Sequence, residues 1–137
     1  MIVIACLDAE NGMLFNGRRQ SRDRRVIQDI SEMVKGEKLL MSSYSHSLFA
    51  NEMINTIVDN DFLSKASPGD FCFVENLPIG VFADKIEKVV IYRWNKKYPQ
   101  TTGFDLPVNS SNWYLESSLE FPGYSHETIK KEIYYRC

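Results

Sequence analysis

The chain opens on six consecutive apolar residues, Ile2-Val3-Ile4-Ala5-Cys6-Leu7, stopped by Asp8. An unbroken run without alternating polar positions predicts a strand covered on both faces, as in the centre of a parallel sheet. Three later runs read the same way: Lys38-Leu39-Leu40-Met41, Phe71-Cys72-Phe73-Val74 and Val89-Val90-Ile91-Tyr92. Between the first two, Val26, Ile27, Ile30, Met33 and Val34 repeat at helical spacing and line one face of a predicted helix. Ser21 is placed to cap that helix, Asp23 to sit in its first turn, and Gly36 to end it. A short second helix is expected from about Ser45 to Ile54, burying Leu48, Phe49 and Met53. Residues 55–70 mix short apolar pieces with turn residues and close on the turn Ser67-Pro68-Gly69-Asp70. Ile79 to Ile86 is read as a short helix or turn. Trp113 to Glu116 and Ile129 to Tyr135 are read as antiparallel strands. Apolar strands separated by helical segments give an α/β fold: a mixed sheet with a parallel core, flanking helices and a C-terminal antiparallel hairpin.

Composition adds bounds. A chain of 137 residues fits one domain spanning 1–137, and 44% apolar with 25% charged residues is ordinary for a packed globule. The formal charge of -2 argues against nucleic acid as a partner. The distribution is uneven, however: Arg18, Arg19, Arg22, Arg24 and Arg25 cluster around a single acid, Asp23. The three cysteines, Cys6, Cys72 and Cys137, include no close pair, and the first two lie inside apolar runs. They read as buried thiols in a reducing, cytoplasmic setting, and no metal site is expected. No secretion signal and no apolar stretch of membrane-spanning length is found, so no membrane association is expected.

The order of these features resembles dihydrofolate reductase. Ile2 to Leu7 followed by Asn11-Gly12-Met13 resembles that family's opening strand and active-site loop. Ser21-Arg22-Asp23 resembles the helix start that presents the pterin-binding carboxylate, which places Asp23 at the acid position. Leu39 to Ser43 resembles the strand and turn leading to the second cofactor-binding helix. Lys88 to Tyr92, Gly103-Phe104-Asp105-Leu106-Pro107, Trp113 and residues 126–136 resemble the family's closing strands and loop. The resemblance implies a reductase-like scaffold and, in its full form, NADPH. The chain departs from the family where Glu75-Asn76 stands in place of the adjacent glycines that let backbone approach the cofactor pyrophosphate, and where Ser43 replaces a basic residue. Side chains there crowd the phosphate site, and Glu75 adds a repelling charge.

The stretch from Asn16 to Asp23 carries the strongest functional signal, joining turn residues, a basic cluster and a helix start that together can receive an anion. Its candidate ligand contacts are Asn16, Arg18, Arg19, Gln20, Ser21 and Arg22, with Asp23 as the candidate catalytic or clamping carboxylate. Tyr44 and Ser45 are added because open α/β sheets bind ligands beyond the carboxyl ends of their strands. Trp94 with Lys96-Lys97-Tyr98 is too short a motif to argue for nucleic acid. The expected function is that of a non-catalytic or weakly catalytic binding protein on a reductase-like scaffold, with no cofactor, taking an anionic small molecule or a protein partner. A bacterial toxin-neutralising immunity protein is one form of it. A divergent NADPH-dependent pterin or folate-type reductase, and nucleotide or nucleic-acid processing through the Arg18–Arg25 cluster, remain open as alternatives.

Overall fold

The first apolar run forms β1 (Ile2–Leu7), every residue of which after Ile2 is buried. The computed structural model describes the chain except residues 16–17, 20–22, 95–101 and 125–126, and except the side chains of residues 14, 15, 18, 19 and 102. After β1 come β2 (Gly12–Phe15), β3 (Arg18–Arg19), α1 (Arg24–Met33), β4 (Lys38–Met41) and α2 (Ser43–His46). A 3-10 turn over Ser47–Phe49 follows, then β5 (Asn55–Val58), α3 (Phe62–Lys65) and β6 (Phe71–Val74). A longer 3-10 segment, Gly80–Lys85, precedes β7 (Lys88–Trp94), β8 (Thr102–Gly103), β9 (Trp113–Phe121) and β10 (Ile129–Arg136).

Seven strands form one sheet in the order β5-β4-β6-β1-β7-β10-β9, and a small second sheet runs β3-β2-β8. β1 lies between two parallel neighbours, Ile4 facing Phe73 of β6 and Val90 of β7. β4 continues the parallel block between β6 and β5, whereas β10 runs antiparallel to both β7 and β9. The fold is therefore α/β with a parallel core and a C-terminal antiparallel hairpin, as the apolar pattern implies.

Successive residues of β1 serve opposite cores. Ile4 and Cys6 pack under Val26, Ile27, Ile30 and Val34, the apolar stripe of α1, with Phe73, Tyr92 and Trp94 beside them. Phe49 meets Phe73 edge to face at 5.1 Å, a geometry that adds about 0.5–1.5 kcal/mol beyond area burial. Val3, Ala5 and Leu7 face the other core, roofed by Phe62 and Leu63 of α3, by Ile79 and Ile86, and by Phe104, Leu106, Val108 and Trp113. Short helices and loops thus cover this face where α1 covers the other.

Several elements differ from the sequence expectation. The cap of α1 is Asp23, not Ser21: Asp23 is extended at φ -134° and accepts hydrogen bonds from the N–H groups of Arg25 and Val26. Ser21 lies outside the described residues. The helix expected from Ser45 to Ile54 is one turn of α2 and a 3-10 turn, so Phe49 is buried while Met53 is fully exposed at 101%. Residues 55–70, read as irregular, supply β5 and α3; β5 lacks a continuous apolar run because it is a short, largely exposed edge strand. The first strand of the hairpin extends to Phe121 rather than stopping at Glu116. The turn at Ser67–Asp70 is present, with Asp70 N–H donating to Ser67 carbonyl at 3.1 Å and Gly69 at φ +84°. Proline followed by a residue of positive φ is the signature of a type II turn.

Candidate functional site

The site is built where α1 begins beside the carboxyl ends of β1 and β6. Asp23 is 1% exposed, and its Oδ1 accepts from Arg25 N–H at 2.9 Å and Val26 N–H at 3.4 Å. A third donor arrives from far along the chain, Tyr124 N–H at 3.1 Å. One carboxylate thus closes the first turn of α1 and ties it to the segment after β9. Three N–H donors on one oxygen suit Asp23 to an anchoring role.

Glu75, immediately after β6, is also buried, at 4% exposure. The thiol of Cys6 reports on both acids. Its pKa is pushed well above the usual value, first by burial and then by the charges of Glu75 and Asp23. Cys6 on β1 thus feels the charges of both carboxylates, Glu75 after β6 and Asp23 at the start of α1.

An open cleft of about 370 Å³ lies over the start of α1, lined by Asp23, Arg24 and Ile27, by Leu48 and Glu52, and by Tyr124. The guanidinium of Arg24 stands 4.6 Å from the centre of the Tyr124 ring, a cation–π contact that holds both at the rim. Glu52 accepts from the hydroxyl of Ser31 at 3.0 Å. Among the described residues the cleft presents two carboxylates and one guanidinium, an arrangement suited to hydrogen-bond donors more than to a small anion.

The candidate residues divide accordingly. Asp23 lines the cleft. Asn16, Gln20, Ser21 and Arg22 lie outside the described residues, as do Lys96, Lys97, Tyr98 and His126. Arg18 and Arg19 form β3, paired with Phe15 and Leu14 of β2, with side chains outside the described set. Tyr44 is 37% exposed on α2, whereas Ser45 is 1% exposed and its hydroxyl has no hydrogen-bond partner. Arg25, counted in the basic cluster, packs over the Phe121 ring at 4.8 Å and pairs with Asp29 at 4.0 Å, so it helps hold α1 on the sheet. Tyr124 and Glu52 were not visible as site residues, because neither belongs to a motif and both come from loops remote from Asp23 in sequence. Among the described residues no group of three or more His, Cys, Asp or Glu is placed to hold a metal ion, and no helix is long and apolar enough to cross a membrane.

No family model matches the chain, and no curated protein matches it. The solved structures do. The dihydrofolate reductase of Enterococcus faecalis, complexed with NADP(H) and RAB-propyl, superposes with a TM-score of 0.68 over 98% of this chain and 95% of that one. The fold is that of dihydrofolate reductase. Identity over that match is only 9%, so the likeness carries the scaffold and its strand order. Function on such a scaffold has to be argued from the residues at the site.

Proposed function

We propose that this chain is a binding protein on a dihydrofolate-reductase-like scaffold, without reductase turnover, and that its ligand is a protein partner. The observation that carries this reading is the buried carboxylate of Glu75. It stands after β6, where the resemblance calls for bare glycine backbone against a cofactor pyrophosphate. A dianionic pyrophosphate brought to a buried carboxylate meets repulsion in a poorly solvated place, and a side chain already fills part of the space. The residues present therefore do not fit NADPH held in the usual way. Asp23 fits a structural role beside this, since its Oδ1 takes three backbone donors. Within the binding class, a protein partner is favoured over a small anion by the two acids, Asp23 and Glu52, in the described part of the cleft. A toxin-neutralising immunity protein is one such partner-binding protein, needing a stable scaffold and a charged surface and no catalytic set.

One observation favours a second reading: Asp23, Arg24 and Tyr124 meet in a single open cleft. A divergent reductase acting on a pterin-like heterocycle would use that convergence, and the Enterococcus faecalis enzyme is complexed with NADP(H). A calorimetric titration with NADPH, alone and with a folate-like ligand present, separates the two. The binding-protein reading expects no heat of binding at millimolar cofactor and no oxidation of NADPH by dihydrofolate. Saturable NADPH binding strengthened by the second ligand would establish the reductase reading instead. Processing of nucleotides through the arginine cluster has less support, because Arg24 and Arg25 are engaged with aromatic rings.

A further inference from the structure

The seven-stranded sheet ends on one side at β9, which pairs with β10 alone among the described residues. Seven successive residues of β9, Tyr114 to Glu120, are exposed. Tyr114, Leu115 and Leu119 present apolar surface at 49%, 48% and 63% exposure. The edge at the opposite end, β5, has only four residues. A long edge strand offers a row of backbone donors and acceptors to any extended segment, and natural proteins blunt such edges with charge, bulges or cover. Here the ladder is broken once, between Ile133 and Tyr134, where Ser117 and Leu115 are the partners and Glu116 is the extra residue. Glu116 and Glu120 are the only charged residues from Leu106 to Tyr124, and no basic residue occurs there.

Resting on the reading of the chain as a partner-binding protein, we infer that β9 is the docking edge and that its occupant is an extended, basic segment of another protein, added as an eighth strand. Backbone pairing along Ser117–Phe121 supplies the affinity, and Leu119 offers an apolar contact beside it. The two glutamates select the occupant. A second copy of this chain would bring the same pair of glutamates to the joint, and like charges across a strand pair are unfavourable. A strand carrying lysine or arginine instead meets opposite charge at Glu116 on the bulge, and at Glu120 shares it with Lys130 of β10, which stands opposite. The features that discourage self-association through this edge are thus the ones that admit a basic partner.

The probe is a blocked nine-residue peptide alternating Lys and Val, compared with its counterpart carrying Glu in place of Lys. Amide hydrogen exchange locates binding, and calorimetry measures it. The expected result is protection by the Lys peptide confined to 113–121 and no effect of the Glu peptide. Binding should weaken roughly tenfold in Glu116→Lys/Glu120→Lys and fall as salt is raised. Both substitutions lie on exposed positions, and an unchanged melting temperature shows that the fold is kept. Equal binding of the two peptides, or no protection at β9, overturns the proposal. So does a dimer of the chain by sedimentation that Leu119→Lys dissolves, since the occupant is then a second copy. NADPH turnover in the calorimetric experiment overturns the functional reading by itself, whereas failure of the peptide with no NADPH binding overturns only the docking edge.

Discussion

Two parts of the molecule bury carboxylates, one around a guanidinium and the other beside an open cleft. Asp8, just after β1, and Glu132 in β10 are 0% and 6% exposed, and the guanidinium of Arg93 in β7 bridges the Asp8 backbone and the Glu132 carboxylate. Its Nε donates to Glu132 at 3.1 Å, and its Nη1 donates to the Asp8 carbonyl at 3.0 Å and to Asn11 Oδ1 at 2.7 Å. Tyr134 adds a hydroxyl to Glu132 at 3.2 Å, and the Asp8 carboxylate takes the N–H groups of Glu10 and Gly12 at 2.8 Å each. Asn11 takes φ +63° within this network, a conformation that asparagine tolerates better than most residues. At the start of α1, Asp23 is met by backbone N–H groups as Asp8 is, and its charge together with that of Glu75 acts on the buried Cys6 thiol. The first arrangement is a polar lock that ties the end of β1 to β7 and β10. The second adjoins an open cleft lined by Asp23, Arg24, Glu52 and Tyr124.

The largest expected effect tests the lock. Arg93→Met removes the guanidinium from that network and leaves the buried Glu132 carboxylate to the half-exposed Lys130, 3.6 Å away, a loss that should approach the roughly 3–5 kcal/mol of breaking a buried pair. Urea unfolding of the variant should show a midpoint far below that of the parent. Replacing the acid as well, in Arg93→Met/Glu132→Leu, should recover much of the loss, because two apolar side chains leave no buried charge behind. A loss under about 1 kcal/mol for the single variant, the range of exposed pairs, would erase the distinction between the two regions.

Asp23 gives the next largest effect and sharpens the comparison from the other side. Removing an N-cap carboxylate costs typically about 1 kcal/mol, so Asp23→Ala should lower thermal stability by that order. Asp23→Asn keeps an oxygen acceptor for Arg25, Val26 and Tyr124 and should restore most of it. A proton-donating role makes the reverse demand, since asparagine would then be as inactive as alanine in turnover. Rescue of stability by Asn, with NADPH oxidation absent throughout, fits the anchor.

The scaffold was far more legible in the sequence than the site. β1, β4, β6 and β7 announce themselves because strands buried on both faces must be apolar throughout, and the stripe of α1 follows from its single contact with the sheet. β5 and α3 escaped because a four-residue edge strand and a one-turn helix carry too few apolar positions to show a period. Met53 was misjudged for a related reason: the helical spacing that would bury it ends at Phe49. Asp23 was recognisable as a carboxylate at a helix start, but its role as the cap was given to Ser21, since residue type permits either. Tyr124 and Glu52 had no local signal at all. Their approach to Asp23 is made by tertiary packing, through the return of the chain after β9 and the turn after α2. The placing of Glu52 beside Asp23 in the described part of the cleft followed from that packing as well.

The smallest effects concern the thiols. Cys137 is exposed while Cys6 and Cys72 are buried, so a thiol reagent at neutral pH should label Cys137 quickly and the other two only on unfolding. Burial pushes Cys72 up to about 12 from an ordinary 9.0 and raises Cys6 as well, with Glu75 and Asp23 adding to the effect. A thiol whose pKa is raised on folding favours the native state fully below pH 9. Above that the unfolded chain gives up its proton while the folded chain retains it, so stability falls as pH rises towards the folded value. The urea midpoint should therefore decline above pH 9, and Cys72→Ala should make that decline shallower. Glu75→Gln isolates the carboxylate's part, because it removes a charge facing Cys6 and leaves the burial of the thiol in place. A slightly shallower alkaline decline in Glu75→Gln is expected; an unchanged one would mean that burial alone acts on Cys6.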